Sequence, residues 1–173
     1  NAQRVFQSPT EPLNATGRAQ AQRAAEAMAS EPLRAIVCSD ALRAMQTAQA
    51  VAAAHGLPAL PQTALRERNF GDLIGQSSAQ INWSYAPENG ETLAQFVHRT
   101  RNALADALLA PTPVLVVAHG GTLYVLAALL QLSLSPALLV NAQPLRLDYA
   151  AHAWQATPLL TPPQDAPGSP NIA

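Results

Sequence analysis

Three stretches of this 173-residue chain carry side chains able to bind an anion or move a proton. In Cys38-Ser39-Asp40-Ala41-Leu42-Arg43-Ala44-Met45-Gln46-Thr47-Ala48 an arginine follows a Ser-Asp helix-capping pair. A cation in the first turn opposes the helix dipole by roughly 0.3–1 kcal/mol. An anion seated in front of Arg43 would offset that opposition, as would a neighbouring carboxylate that merely pairs with it. In Val117-Ala118-His119-Gly120-Gly121-Thr122 a histidine precedes two glycines that let a ligand or another backbone approach closely. It is either a site residue or a satisfied structural histidine. In Leu65-Arg66-Glu67-Arg68-Asn69-Phe70-Gly71-Asp72-Leu73-Ile74-Gly75 a carboxyl lies between two arginines. Glu67 is part of a solvated charge cluster, or, if the loop folds over the other two stretches, a proton donor to a leaving group.

Elements must exist to hold these residues. Asn1 to Leu13, with Pro9 and Pro12, reads as a loop, and Asn14 caps a helix to about Ser30 ahead of Pro32. Ala35-Ile36-Val37-Cys38 is an apolar run of buried-strand type, and the Ser39/Asp40 cap starts a helix that stops at His55 before Gly56 and Pro58. Leu60 to Leu65 reads as a short strand and Arg66 to Asn89 mostly as loop. Leu93, Phe96, Val97, Leu104, Ala107 and Leu108 mark one face of a helix over Glu91 to Leu109.

The unbroken run Val114-Leu115-Val116-Val117-Ala118 predicts a strand buried on both faces, leading through His119-Gly120-Gly121 into a helix over Thr122 to Leu132. Leu145 to Tyr149 alternates like a half-exposed strand, with His152 to Ala156 as its hairpin partner. The alternation of strands and helices predicts an α/β fold, a three-layer sandwich with a mainly parallel sheet. In such sheets the strand-to-helix turns gather at the carboxyl edge, beside helix amino termini. One domain over 1–157 is expected, followed by a Pro-rich tail over 158–173.

Composition narrows the partners. Ten basic residues, all arginine, face 11 acidic ones for a net charge of -1, and charged residues make up only 12%. Nucleic acid and acidic membranes both demand a basic face, so neither is expected. The lone Cys38 forms no internal disulfide and gives no sign of an oxidising compartment, so a cytoplasmic setting is expected. The longest apolar stretch, Leu123 to Leu134, is shorter than the ~20 residues a bilayer needs and reads as a buried helix. No His-Glu-x-x-His, Walker, dinucleotide or Gly-x-Ser-x-Gly pattern occurs, His55 reads as a helix-end residue, and His98 and His152 have no partner at a recognisable spacing.

Taken together, the three stretches resemble the histidine phosphatase superfamily, the phosphoglycerate-mutase-like group. Ser39 to Ala48 is similar to its Ser-Asp-Leu-x-Arg-Ala-x-Gln-Thr-Ala motif, Leu65 to Gly75 to its Leu-x-Glu-x-x-Phe-Gly-x-x-Glu-Gly loop, and Val117 to Gly121 to its second histidine motif. Pro12 to Ala21 and Asn89-Gly90-Glu91-Thr92 match further landmarks in order. The resemblance implies a phosphoglycerate-mutase-like fold and phosphoryl transfer through a phosphohistidine, with no cofactor and no metal. It implies that Arg43 clamps the phosphoryl oxygens, that His119, Asn1 and the Gly120 amide bind the same group, and that Glu67 protonates the departing alkoxide and later activates water.

The family's nucleophilic histidine belongs to an Arg-His-Gly motif, which none of the four histidines here occupies. The resemblance places that motif upstream of Asn1, so the 173 residues alone are expected to be inactive and poorly folded for want of a central strand. Two positions depart from the pattern: Ile74-Gly75 replaces the usual Glu-Gly pair, and Asn14 replaces a threonine cap. The segment between Gly75 and Asn89 is short, which favours a phosphomonoester phosphatase acting on a small phosphorylated metabolite such as a sugar phosphate, phosphoglycerate or α-ribazole phosphate. The alternatives are a phosphoglycerate mutase and a noncatalytic phospho-ligand or protein-binding module of the same fold.

Overall fold

Ala35–Ser39 forms the central strand β1, every residue of which is buried. Alternate side chains along a strand face opposite ways, and β1 serves two cores accordingly. Ile36 and Cys38 pack with Ala25 and Met28 of α1 (Ala15–Met28) and with Ala48, Val51 and Ala52 of α2 (Leu42–His55). On the other face Val37 packs with Leu65 and with Ala103, Leu104 and Ala107 of α3 (Leu93–Ala107). This computed structural model describes residues 4–160, and it has the α/β sandwich expected from the sequence. The sheet is parallel in the order β2-β1-β3, with β2 at Ala59–Gln62 and β3 at Val114–Val117.

Local chemistry sets the helix ends. The Asn14 side chain accepts a hydrogen bond from the Gly17 amide at 2.8 Å, so asparagine caps α1 in place of threonine. Thr92 and Gln95 form a reciprocal capping box ahead of α3. Gly56, with φ +61°, closes α2 in a left-handed conformation.

Four expectations need correction. The cap of α2 is Ala41, with no side-chain cap bond, because the Asp40 carboxylate is held instead by Arg66 and Thr63. The segment expected as a strand over Leu60 to Leu65 divides into β2 and a short 3-10 turn, Thr63–Leu65. The helix after the double glycine, α4, spans Gly120–Leu130 and ends where Gln131 turns left-handed at φ 55°. Neither β3 nor α4 is buried as the apolar runs suggest: all four residues of β3 are half-buried, and Tyr124 and Leu129 of α4 are exposed. β3 hydrogen-bonds to β1 along one edge, and among the described residues nothing pairs with its other edge.

The expected hairpin is present, β4 at Leu145–Ala150 against β5 at Ala153–Pro158, and it pairs only with itself among the described residues. The proline-rich stretch expected from position 158 begins as the last residue of β5, and positions 161–173 lie outside the described residues. Among the described residues no helix is long and apolar enough to cross a membrane.

Candidate active site

β1 and β3 run parallel with Cys38 opposite Val117, so their carboxyl ends deliver Ser39 and His119 to one edge of the sheet. His119 stands at the amino terminus of α4, and its Nε2 lies 2.9 Å from Ser39 Oγ. Arg43, in the first turn of α2, donates from Nη1 to the Ser8 carbonyl at 2.9 Å and brings Nη2 to 3.4 Å from His119 Nδ1. A guanidinium can only donate, so the hydrogen-bond pattern assigns Nδ1 as the bare nitrogen and Nε2–H as the donor to Ser39. Burial, reinforced by the Arg43 charge, pulls the His119 pKa down to about 3, which leaves the ring neutral.

Arg43 makes no ion pair with a carboxylate among the described residues. Of the five N–H groups of a guanidinium, two reach Ser8 and His119, and the other three have no partner among the described residues. The simple carboxylate-pairing account of Arg43 therefore does not apply.

The loop places Glu67 beside this pair. Its Oε2 accepts from the Gly121 amide at 2.9 Å and its Oε1 from the Arg68 amide at 2.9 Å. Burial raises its pKa, against the pull of those two amides and of Arg43 and Arg99. A carboxyl shifted that way holds its proton more readily, as a general acid must. The double glycine has two different uses. A methyl group on Gly121 would overlap Glu67 Oε1 and stand 3.0 Å from Phe96 Cζ, whereas one on Gly120 would meet nothing within 4 Å. Gly121 admits the carboxyl, and Gly120 faces open space.

The solvated-cluster account of Glu67 also fails, because neither flanking guanidinium bonds its carboxylate. Arg66 forks onto Asp40 with Nε to Oδ1 at 2.6 Å and Nη2 to Oδ2 at 2.8 Å. Although burial works against that charge, the fork and the Thr63 hydroxyl hold the Asp40 carboxyl below its ordinary range. Arg68 is 3% exposed, donates to the carbonyls of Trp83, Tyr85 and Glu91, and lies over the rings of Phe70 and Trp83.

Asn1 lies outside the described residues. His55 contacts the Met28 carbonyl, His98 contacts Asn102, and His152 has φ 63° between β4 and β5, so none joins the site. No group of three or more His, Cys, Asp or Glu able to hold a metal ion occurs among the described residues. Nearby segments enclose a cavity of about 260 Å³ whose lining includes Phe6, Phe70, Tyr85, Gln76, Gln80 and Asn82 and no charged side chain. The sequence reading missed Ser39 as the partner of His119, although Ser39 heads the motif that contains Arg43. It also missed the pair Arg99 and Glu91 behind Glu67, joined at 2.7 Å. A lone arginine inside a helix carries no local signal of that role.

The model of the histidine phosphatase superfamily (branch 1) matches residues 1–158. Glucosyl-3-phosphoglycerate phosphatase of Mycobacterium tuberculosis is 34% identical over 152 residues, covering 73% of this chain and 68% of that protein. The uncharacterized phosphatase PhoE of Bacillus subtilis is 31% identical over 90% of this chain and 85% of its own length. Among solved structures, mycobacterial glucosyl-3-phosphoglycerate phosphatase in complex with VO3 superposes with a TM-score of 0.69 at 29% identity, over 90% of each chain. Bacillus stearothermophilus YhfR shares the fold, with a TM-score of 0.75 at 23% identity over 91% of this chain and 88% of that one.

Proposed function

This chain belongs to the histidine phosphatase superfamily, and from that membership and the geometry of its site we propose a phosphomonoester phosphatase acting on a small phosphorylated metabolite. One observation carries the reading: Arg43, with three donors lacking partners and no paired carboxylate among the described residues, stands against a neutral His119 at 3.4 Å. A charged fork with open donors beside a helix amino terminus suits a phosphoryl dianion. Relatives named for glucosyl-3-phosphoglycerate hydrolysis support a small phosphorylated substrate.

In this reading the attacking group is the histidine of an Arg-His-Gly segment, a tripeptide not found in the 173 residues. The half-buried β3, with one edge lacking a partner among the described residues, is the natural neighbour for the strand that bears it. The 173-residue chain by itself then lacks its nucleophile and does not turn over. In the whole enzyme, the imidazole nitrogen bonds to phosphorus as the P–O ester bond breaks, and Glu67 passes its proton to the departing alkoxide. Water then attacks the phosphohistidine, Glu67 takes its proton, and the P–N bond breaks to release phosphate. Arg43 and the Gly120 amide hold the equatorial oxygens through both steps, His119 joins them as the imidazolium, protonated at Nδ1, that a bound phosphoryl dianion favours, and Asn1 adds a contact from the loop.

The test is turnover of an aryl phosphate by the full-length protein. Arg43→Ala combined with His119→Ala should abolish it, and full activity in that double variant would refute the assignment. Acid-labile, base-stable phosphate on the protein after rapid quenching marks the covalent intermediate.

A further inference from the structure

Arg99, inside α3, uses all five of its N–H groups, three on the short stretch Ala64 to Glu67 and two on Glu91. Nη1 donates to the carbonyls of Ala64 at 2.7 Å and Arg66 at 3.0 Å, and Nη2 reaches the carbonyl of Glu67 at 3.4 Å. Its remaining edge forks onto Glu91, Nε to Oε1 and Nη2 to Oε2, both at 2.7 Å. Five donors thus meet five acceptors. Arg99 has none left for a ligand, so it differs from Arg43 in kind.

Glu91 completes the clamp. Its Oε2 accepts from the Asn69 amide at 2.9 Å, while its own amide donates to the Asn69 carbonyl at 2.9 Å. The chain is therefore gripped at 64, 66, 67 and 69, on both sides of Glu67. These carbonyls leave a 3-10 turn, Thr63–Leu65, whose last groups have no partner within the turn itself. Phe96, one turn earlier on α3, lies under the Arg99 guanidinium at 5.4 Å and against the Gly121 position that receives the Glu67 carboxyl.

We propose that Arg99, locked by Glu91, is a positioning residue that fixes how far the Glu67 carboxyl reaches toward the leaving-group oxygen. The proposal rests on the assignment of Glu67 as the general acid. A lysine cannot substitute, because an ammonium is a point charge with three donors and cannot hold a carboxylate fork and three carbonyls at once. Misplacement of a reacting group by ~1 Å can cost on the order of 100-fold in rate.

The experiment compares kcat/KM of the full-length enzyme for an alkyl phosphate, which needs protonation on departure, and for an aryl phosphate with an acidic phenol, which does not. Arg99→Lys should lower the alkyl value roughly 10- to 100-fold and leave the aryl value within about 3-fold. Glu91→Gln, which keeps an acceptor for Asn69, should give the same pattern to a smaller extent, and it decides the matter if Arg99→Lys does not fold. Equal losses on both substrates, or none, in a folded variant overturn the proposal. Glu67→Gln serves as the reference: if it lacks the leaving-group dependence, the assignment of Glu67 as acid fails, whatever Arg99 does.

Discussion

His119 presents a bare Nδ1 to Arg43 at 3.4 Å while its Nε2–H is held by Ser39 at 2.9 Å. The ring is oriented from behind by a hydroxyl that is itself fully buried. Ser39→Ala should therefore free the ring to rotate without removing any group that faces the proposed phosphoryl seat. The expected result is a roughly 3- to 10-fold fall in kcat/KM, about one hydrogen bond's worth. Arg43→Ala should cost about 100- to 1000-fold, the usual loss for a donor aimed at developing negative charge. Steady-state kinetics on the full-length protein check both.

The two neighbouring glycines should respond oppositely to the same methyl group. Gly121→Ala forces Glu67 and Phe96 apart and is expected to destabilise the fold by about 1–3 kcal/mol, whereas Gly120→Ala should leave stability within about 0.5 kcal/mol. Urea denaturation midpoints measure the difference.

Acid should weaken the protein partly through His119. Its folded pKa of about 3 lies below the ordinary 6.5, so between those values the unfolded chain binds a proton that the native state does not. Stability from this group is complete above pH ~6.5 and is lost as pH falls toward 3, at ~1.4 kcal/mol per unit. The held carboxyls of Asp40 and Glu91 lose stability in the same direction at lower pH, whereas Glu67, shifted up, opposes it. Between pH 7 and pH 5 the His119 contribution is about 2 kcal/mol. Denaturation of His119→Asn over that range should show a correspondingly shallower decline, and an unchanged slope would dismiss the neutral ring.

Thr100 on α3 is completely buried, and its hydroxyl has no hydrogen-bond partner among the described residues. Thr100→Val exchanges that hydroxyl for a methyl of similar size and should stabilise the protein by about 1 kcal/mol, raising Tm by a few degrees. Calorimetry would detect the shift.

Much of this site was legible because its chemistry lies at the ends of elements with clear signals. The apolar run of β1 and the aliphatic run of β3 each place a site residue at a strand end, and the helix that follows β1 carries Arg43 in its first turn, where strand register does the rest. What was illegible depended on contacts between residues far apart in the chain. Asp40 looks like a cap by position, yet Arg66, 26 residues on, takes its carboxylate. Arg99 lies 32 residues from Glu67, and no periodicity announces that pairing. The half-exposure of β3 and α4 escaped the sequence because hydrophobicity reports what a segment would bury and says nothing of the neighbour that covers it.

That half-clothed strand has a consequence for handling the polypeptide. The edge of β3 that pairs with no strand among the described residues carries half-buried aliphatic side chains, and an edge of that kind is an adhesive seam that an extended peptide can zip onto. When concentrated, the 173-residue polypeptide should form oligomers through this seam. A synthetic peptide of matching β-prone sequence should dissolve them.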